Sequence, residues 1–159
     1  ITVAATPSWT ELTNDDFESG FGNWSDGGSD AFLSGSRAID SQCVNIQDNS
    51  NSAYIELTNS LDLSSYSELK IEFSYVVKSF EGTEDFWLRF SNDGGLSWTT
   101  IKAFVNNVDF VDDGTRYPVE LTIDSGSYTF SNDVKIMFEC DASANNDDVY
   151  IDNVTISAK

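Results

Sequence analysis

The chain contains no histidine, two cysteines, two prolines and only 8 basic residues in 159. Each shortage excludes something. Without histidine there is no Ser-His-Asp or Cys-His nucleophile, no imidazole-based zinc site and no ordinary general base near neutral pH. Set against 27 Asp and Glu, the few cations leave a net charge of −19. That balance excludes nucleic acid as a partner, because such binding runs on cationic contacts to phosphate. It also excludes adsorption on anionic membranes, and no apolar run approaches the ~20 residues of a membrane span. No window shows helical periodicity. No leader peptide is visible, as expected of a mature chain or an excised module. Such acidity suits a secreted protein in salty or calcium-rich water, where charge keeps it soluble and screening limits self-repulsion.

The two cysteines, Cys43 and Cys140, permit one disulfide. It would close a loop of roughly 100 residues, worth ~4–5 kcal/mol in the chain-entropy account. Cys140 lies in the inward phase of its strand, but Cys43 is out of phase with Val44 and Ile46. Two buried thiols are the alternative.

What the chain does have is aromatic residues: 11 Phe, 6 Tyr and 4 Trp, enough for a substantial core. Residues 1–8 read as a linker or frayed terminus, and 9–159 as a single domain. A weak edge strand runs from Trp9 to Glu18. Residues 19–41 read as a long ordered loop rich in Gly, Ser and Asp. Strands are expected at Gln42–Gln47, Ala53–Leu57, Glu68–Lys78, Asp85–Ser91, Trp98–Phe104, Tyr117–Ile123, Val134–Cys140 and Asp148–Ser157. Alternation is clearest in Glu68–Lys78, where Leu69, Ile71, Phe73, Tyr75 and Val77 share one phase. Many short strands at this spacing predict an all-β fold, an antiparallel β-sandwich of the jelly-roll type.

The last strand carries an irregularity. Val149 and Ile151 alternate in one phase, Val154 and Ile156 in the other, so the pattern slips at Asp152-Asn153. Such a slip predicts a bulge, and bulges re-aim side chains. Asp16 and Glu18 share a phase near the other end of the chain. The first and last strands of a sandwich commonly run side by side, which would gather Asp16, Glu18 and Asp152. Three adjacent carboxylates repel one another without a cation, and Ca2+ takes six to eight oxygen ligands. These three residues are therefore the candidate calcium ligands; the alternative is solvated turn and cap residues.

The string Ser91-Asn92-Asp93-Gly94-Gly95-Leu96-Ser97-Trp98 resembles the Asp-box, with Ser97 in the threonine position. It is a structural turn, with Asp93 accepting backbone N–H bonds and Trp98 packed beneath. Phe17-Glu18-Ser19-Gly20-Phe21-Gly22-Asn23-Trp24 and Val149-Tyr150-Ile151-Asp152-Asn153-Val154 together resemble secreted jelly-roll carbohydrate-binding modules and the similar MAM and laminin-G-like adhesion domains. Asp85-Phe86-Trp87-Leu88 through Trp98, and Cys140-Asp141-Ala142-Ser143-Ala144, look like repeats of large marine extracellular proteins. The resemblance implies a structural calcium held by Glu18 and Asp152. Asn153 stands where those modules often carry a second aspartate.

A sugar site on such a fold needs an aromatic platform beside polar groups. Trp87 lies in the outward phase with Arg89 two residues on. Lys78, Glu72 and Glu139 would share that face if their strands are neighbours, and the cations could meet sulfate or carboxylate on an acidic polysaccharide. The alternative buries Trp87 beneath residues 106–114, with Phe110 over it. The sequence thus predicts a non-catalytic, calcium-stabilised module or lectin that binds an extracellular polysaccharide or glycan, within a larger secreted protein. An adhesion or matrix domain working through protein–protein contacts is the alternative. Hydrolysis by an acidic pair is the third reading.

Overall fold

Why these residues make strands follows from the alternation. In the computed structural model, which describes residues 8–159, Leu69, Ile71, Phe73, Tyr75 and Val77 all turn inward from one long strand. The expected linker at 1–8 falls, but for Ser8, outside the described residues. Among the described residues eleven strands form: β1 (Thr10–Asp15), β2 (Trp24–Asp26), β3 (Ala31–Ser34), β4 (Cys43–Gln47), β5 (Tyr54–Leu57), β6 (Glu68–Lys78), β7 (Asp85–Ser91), β8 (Thr99–Val105), β9 (Tyr117–Asp124), β10 (Lys135–Asp141) and β11 (Asp148–Ala158). The first sheet runs β3-β4-β11-β6-β9, with β1 also on β11; the second runs β2-β5-β10-β7-β8. Among the described residues every strand-to-strand pairing is antiparallel. This is the jelly-roll sandwich expected. No helix among the described residues is long and apolar enough to cross a membrane.

The inner faces meet through rings. Across the sheets Phe73 lies edge-on to Phe138 at 4.8 Å and Tyr75 to Phe86 at 4.8 Å, and within the second sheet Phe86 stacks on Phe104 at 4.7 Å between centroids. Such pairs add about 0.5–1.5 kcal/mol each beyond the area they bury.

Strand β11 shows the expected bulge. It pairs with β6 along its whole length, and the register shifts between Asp152 and Thr155. Its other edge is shared. Asp148–Ile151 pairs with β4, and Val154–Ala158 with β1. The slip falls where the partner changes, and Asn153 takes a left-handed φ of 53° there.

Two expectations fail, and one open alternative is decided. The loop at 19–41 contains β2 and β3, of three and four residues; strands so short show no measurable period. Asp16 and Glu18 do not share a strand, because β1 stops at Asp15 and Phe17 adopts a φ of 61°. Of the two readings of the cysteines, the buried thiols hold: Cys43 and Cys140 are both free. Cys140 faces the core from the second sheet, whereas Cys43 lies on the outward side of the first and donates to the carbonyls of Ser34 and Ser36. Burial, with Asp152 nearby, pushes the Cys43 thiol up to about 12.

The Phe17–Trp24 segment owes its shape to Asp15, which is 5% exposed. Its carboxylate accepts from Asn23 N–H at 2.9 Å, the Asn23 amide at 3.0 Å and the Trp24 indole at 3.0 Å. Gly22 makes this possible: a Cβ there would sit 2.1 Å from Asp15 Oδ1.

Candidate functional site

Strands β5, β10, β7 and β8 send alternate residues away from the core. Register places Tyr54, Glu139, Trp87 and Ala103 in one row across the second sheet, and Glu56, Met137, Arg89 and Thr100 in the next. Over these rows lies a groove of about 390 Å3, lined by Tyr54, Glu56, Arg89, Trp98, Met137 and Glu139 with Ser50, Asn51 and Gly95 at its rim. Two aromatic rings therefore stand among hydroxyl, amide and charged groups. That combination suits a sugar, whose C–H faces stack on rings while its hydroxyls take directed hydrogen bonds.

The charges in the groove are already matched. Arg89 Nη1 donates to Glu139 Oε2 at 2.6 Å, and Lys135 Nζ to Glu56 Oε1 at 3.3 Å. Arg89 Nη2 also reaches the Trp98 carbonyl at 3.4 Å, and its guanidinium sits 5.4 Å from the Trp87 ring centre. Arg89 Nε is buried without a partner. This arginine ties Trp87, Trp98 and Glu139 together.

The Ser91–Trp98 turn forms one wall. Asp93 accepts from the hydroxyls of Ser97 and Ser91 and from Ser97 N–H. These bonds, the Ser97 hydroxyl foremost, hold its carboxyl down at about 2. Gly94 and Gly95 take φ of 71° and 95°, and a Cβ on Gly95 would meet the Trp98 ring at 3.3 Å. The Asp-box-like string is thus the structural turn expected, but Trp98 lines the groove as well as supporting the turn.

The expected ligand residues divide. Trp87 is on the outward face and half-buried, and Glu139 is its cross-strand partner. Phe110 does not cover it, being packed inside against Phe80 and Tyr75. Arg89 lines the groove. Lys78 and Glu72 do not, because β6 belongs to the first sheet; Lys78 pairs there with Asp148 at 3.0 Å. The rings in the groove are Tyr54 and Trp98. Tyr54 shares the outward phase of Glu56, a signal present in the sequence.

The acidic ends meet only in part. Glu18 accepts from Ser41 N–H at 3.0 Å, Gln42 N–H at 2.9 Å and the Ser41 hydroxyl. Asp152, 1% exposed, accepts from Ile39 N–H at 2.7 Å and Asn153 N–H at 2.9 Å. Both carboxylates therefore converge on the 39–42 segment. Burial pushes the Asp152 carboxyl up, and Glu18 adds to the rise. Asp16 does not join them: it accepts from Glu18 N–H and caps its own turn. Among the described residues no group of three or more Asp, Glu, His or Cys could hold a metal ion. Glu18 and Asp152 would give a hard cation two carboxylates, whose oxygens already accept N–H and hydroxyl bonds, and backbone carbonyls would have to supply the remaining ligands.

No protein-family model and no curated protein matches the chain by sequence. Solved structures do match in fold. The CBM22-1 xylan-binding domain from Paenibacillus barcinonensis Xyn10C aligns over 97% of each chain at 12% identity, with a TM-score of 0.61. The CBM22-1–GH10 modules of Clostridium thermocellum endo-1,4-β-D-xylanase 10B, complexed with xylohexaose, align over 94% of this chain and 29% of that one at 18% identity, with a TM-score of 0.65. The K3 cleaved adhesin domain of Lys-gingipain from Porphyromonas gingivalis aligns over 94% of this chain and 99% of that one at 12% identity, with a TM-score of 0.56. At these identities the likeness is one of fold.

Proposed function

We propose that the chain is a non-catalytic carbohydrate-binding module that recognises a neutral extracellular polysaccharide on the outward face of its second sheet. The observation that carries this is the groove holding Tyr54 and Trp98, with every charged side chain in its lining ion-paired. An acidic polysaccharide would find no free cation there. It would also approach a chain of net charge −19, which repels polyanions. A hydrolytic reading needs a carboxyl free to donate a proton; both groove carboxylates, Glu56 and Glu139, are committed to cations. The adhesive reading calls for a contiguous apolar patch. The exposed large apolar residues instead lie on separate segments: Phe32, Ile39, Leu96, and the loop carrying Val108 and Val111. The solved carbohydrate-binding modules of like fold support the reading; one stands beside the GH10 module of a xylanase and another belongs to a multidomain xylanase.

Ca2+ is proposed to sit at Glu18 and Asp152, where it would offset a desolvated carboxylate beside a second one. Asp16 is not part of that set.

Isothermal titration with xylohexaose, cellohexaose and a sulfated oligosaccharide tests the binding. Neutral chains bind, the sulfated one does not, and Trp98→Ala weakens binding at least tenfold. Equal affinity in the variant, or preference for the sulfated chain, overturns the reading. Melting with and without EDTA tests the metal; an unchanged midpoint removes it.

A further inference from the structure

The Ser91–Trp98 turn has a second side. There a cleft of about 220 Å3 opens between the turn and the β9–β10 connection. Trp98 faces the groove, and its neighbour Ser97 faces this cleft. The lining contains no Asp, Glu, Lys or Arg: Asn92, Thr99, Ser127 and Thr129 supply hydroxyl and amide groups, and Phe90 and Tyr128 supply rings. The chain as a whole carries 27 acidic and 8 basic residues, so a cleft free of them is a local exception. The acids nearest in sequence are turned into their own loops. Asp93 accepts from Ser97, and Asp124 accepts from Gly126 and Ser127 N–H.

The cleft is also held open in advance of any ligand. Ser131 Oγ donates to the Asn92 carbonyl at 2.8 Å, and Gly94 N–H to the Asp133 carbonyl at 2.9 Å, so the two walls are tied together. Phe90 stands edge-on to Tyr128 at 5.5 Å, which fixes the tyrosine ring. A preformed cleft spares a ligand the cost of ordering its walls.

We propose that this cleft is a second binding site for a neutral carbohydrate, with Tyr128 as the ring against which a sugar packs. It rests on the carbohydrate reading of the groove but uses none of the groove's residues. Neutral hydroxyls and amides recognise hydroxyl groups without demanding a charged partner, and the ring supplies an apolar face. Because one turn separates the two sites, a chain bound in one has its neighbouring units, or a second chain, within reach of the other.

The test is an amide-resolved NMR titration of the full chain with xylohexaose and with cellohexaose. The expected result is two sets of saturable shifts, one at Tyr54, Glu139 and Trp98, the other at Thr99 and Ser127–Thr129. Thr129→Trp, at an exposed position, fills the cleft without touching the Phe90–Tyr128 contact. It should weaken the second set at least tenfold and leave the first unchanged. Tyr128→Phe keeps the packing and removes the hydroxyl, and should weaken the second set several-fold. Shifts confined to the groove overturn the second site and leave the groove reading standing. A second set that persists unchanged in Thr129→Trp overturns it as well. No shift at either site overturns both.

Discussion

Replacing Asn153 tests the bulge on which the first sheet turns. Asn153 holds a φ of 53°, a region that costs an ordinary L-residue roughly 1–2 kcal/mol, with Asn among the few that enter it readily. Its side chain is exposed, and the bond it makes to Asp152 Oδ1 comes from its backbone N–H. Substitution therefore changes backbone preference and little else. Asn153→Val puts a β-branched residue into that region and should cost about 1–2 kcal/mol. For a chain of this size, each kcal/mol moves the midpoint by roughly 2–4 °C, so melting should fall by about 2–8 °C. Asn153→Gly fits the same φ without strain and adds freedom to the unfolded chain, so it should lie within about 1 kcal/mol of the parent. Urea and thermal unfolding of the three proteins give the comparison. If the valine and glycine variants melt together, the slip stores no conformational preference and the reasoning fails.

Glu139→Gln removes the partner of Arg89 and should let the groove accept sulfated or uronic oligosaccharides. Their affinity should rise about tenfold, or ~1.4 kcal/mol, and the gain should fade as salt shortens the screening length; unaltered selectivity counts against charge pairing as the filter. Asp85 and Asp141 lie directly opposite each other on β7 and β10, and burial pushes both carboxyls up; Asp141 adds to the rise at Asp85 against a lowering hydrogen bond from Trp87, and Glu139 adds to the rise at Asp141. Raised acids bind protons more tightly in the folded state, so their contribution is fully favourable below the unfolded value and is lost as pH climbs through the folded one. Asp141→Asn should therefore melt above the parent near about pH 7, the difference shrinking toward about pH 4; a pH-independent difference contradicts a carboxyl raised by burial.

The legible parts of the fold are those where a period persists. Strand β6 shows five inward residues in a row at period 2, and β11 announces its bulge by reversing phase. Strands β2 and β3 were hidden because three or four residues cannot display a period among Gly, Ser and Asp. Their places are set by partners far off in sequence: Trp24 against Leu57, Ala31 against Ile46. The site was half legible for a related reason. Alternation assigns Trp87 and Arg89 to an outward face, but it does not say which strands share a sheet. Lys78 has the right phase and the wrong sheet. Glu139 was in reach of the argument because its strand does neighbour β7.

The sandwich has two outward faces, and alternation alone treats them alike; what separates them is cover. On the first sheet the outward residues Cys43, Asp148, Tyr150 and Asp152 are each 5% exposed or less. The 35–42 segment lies across them, held by Glu18 and Asp152 from below. It is pinned by Arg116, which donates to Ser74 Oγ at 3.0 Å and to the Arg37 carbonyl. On the second sheet Tyr54, Glu56, Trp87, Arg89 and Glu139 remain partly open, because the neighbouring turns stand at the rim rather than over the strands. A polysaccharide can lie along a sheet only where nothing else does. On the proposed reading the acidic pair at Glu18 and Asp152 therefore influences recognition only through the stability of the fold; residues meeting a ligand in the groove come from β5, β7, β10 and the turn that carries Trp98, and those of the second cleft from that turn and the β9–β10 connection.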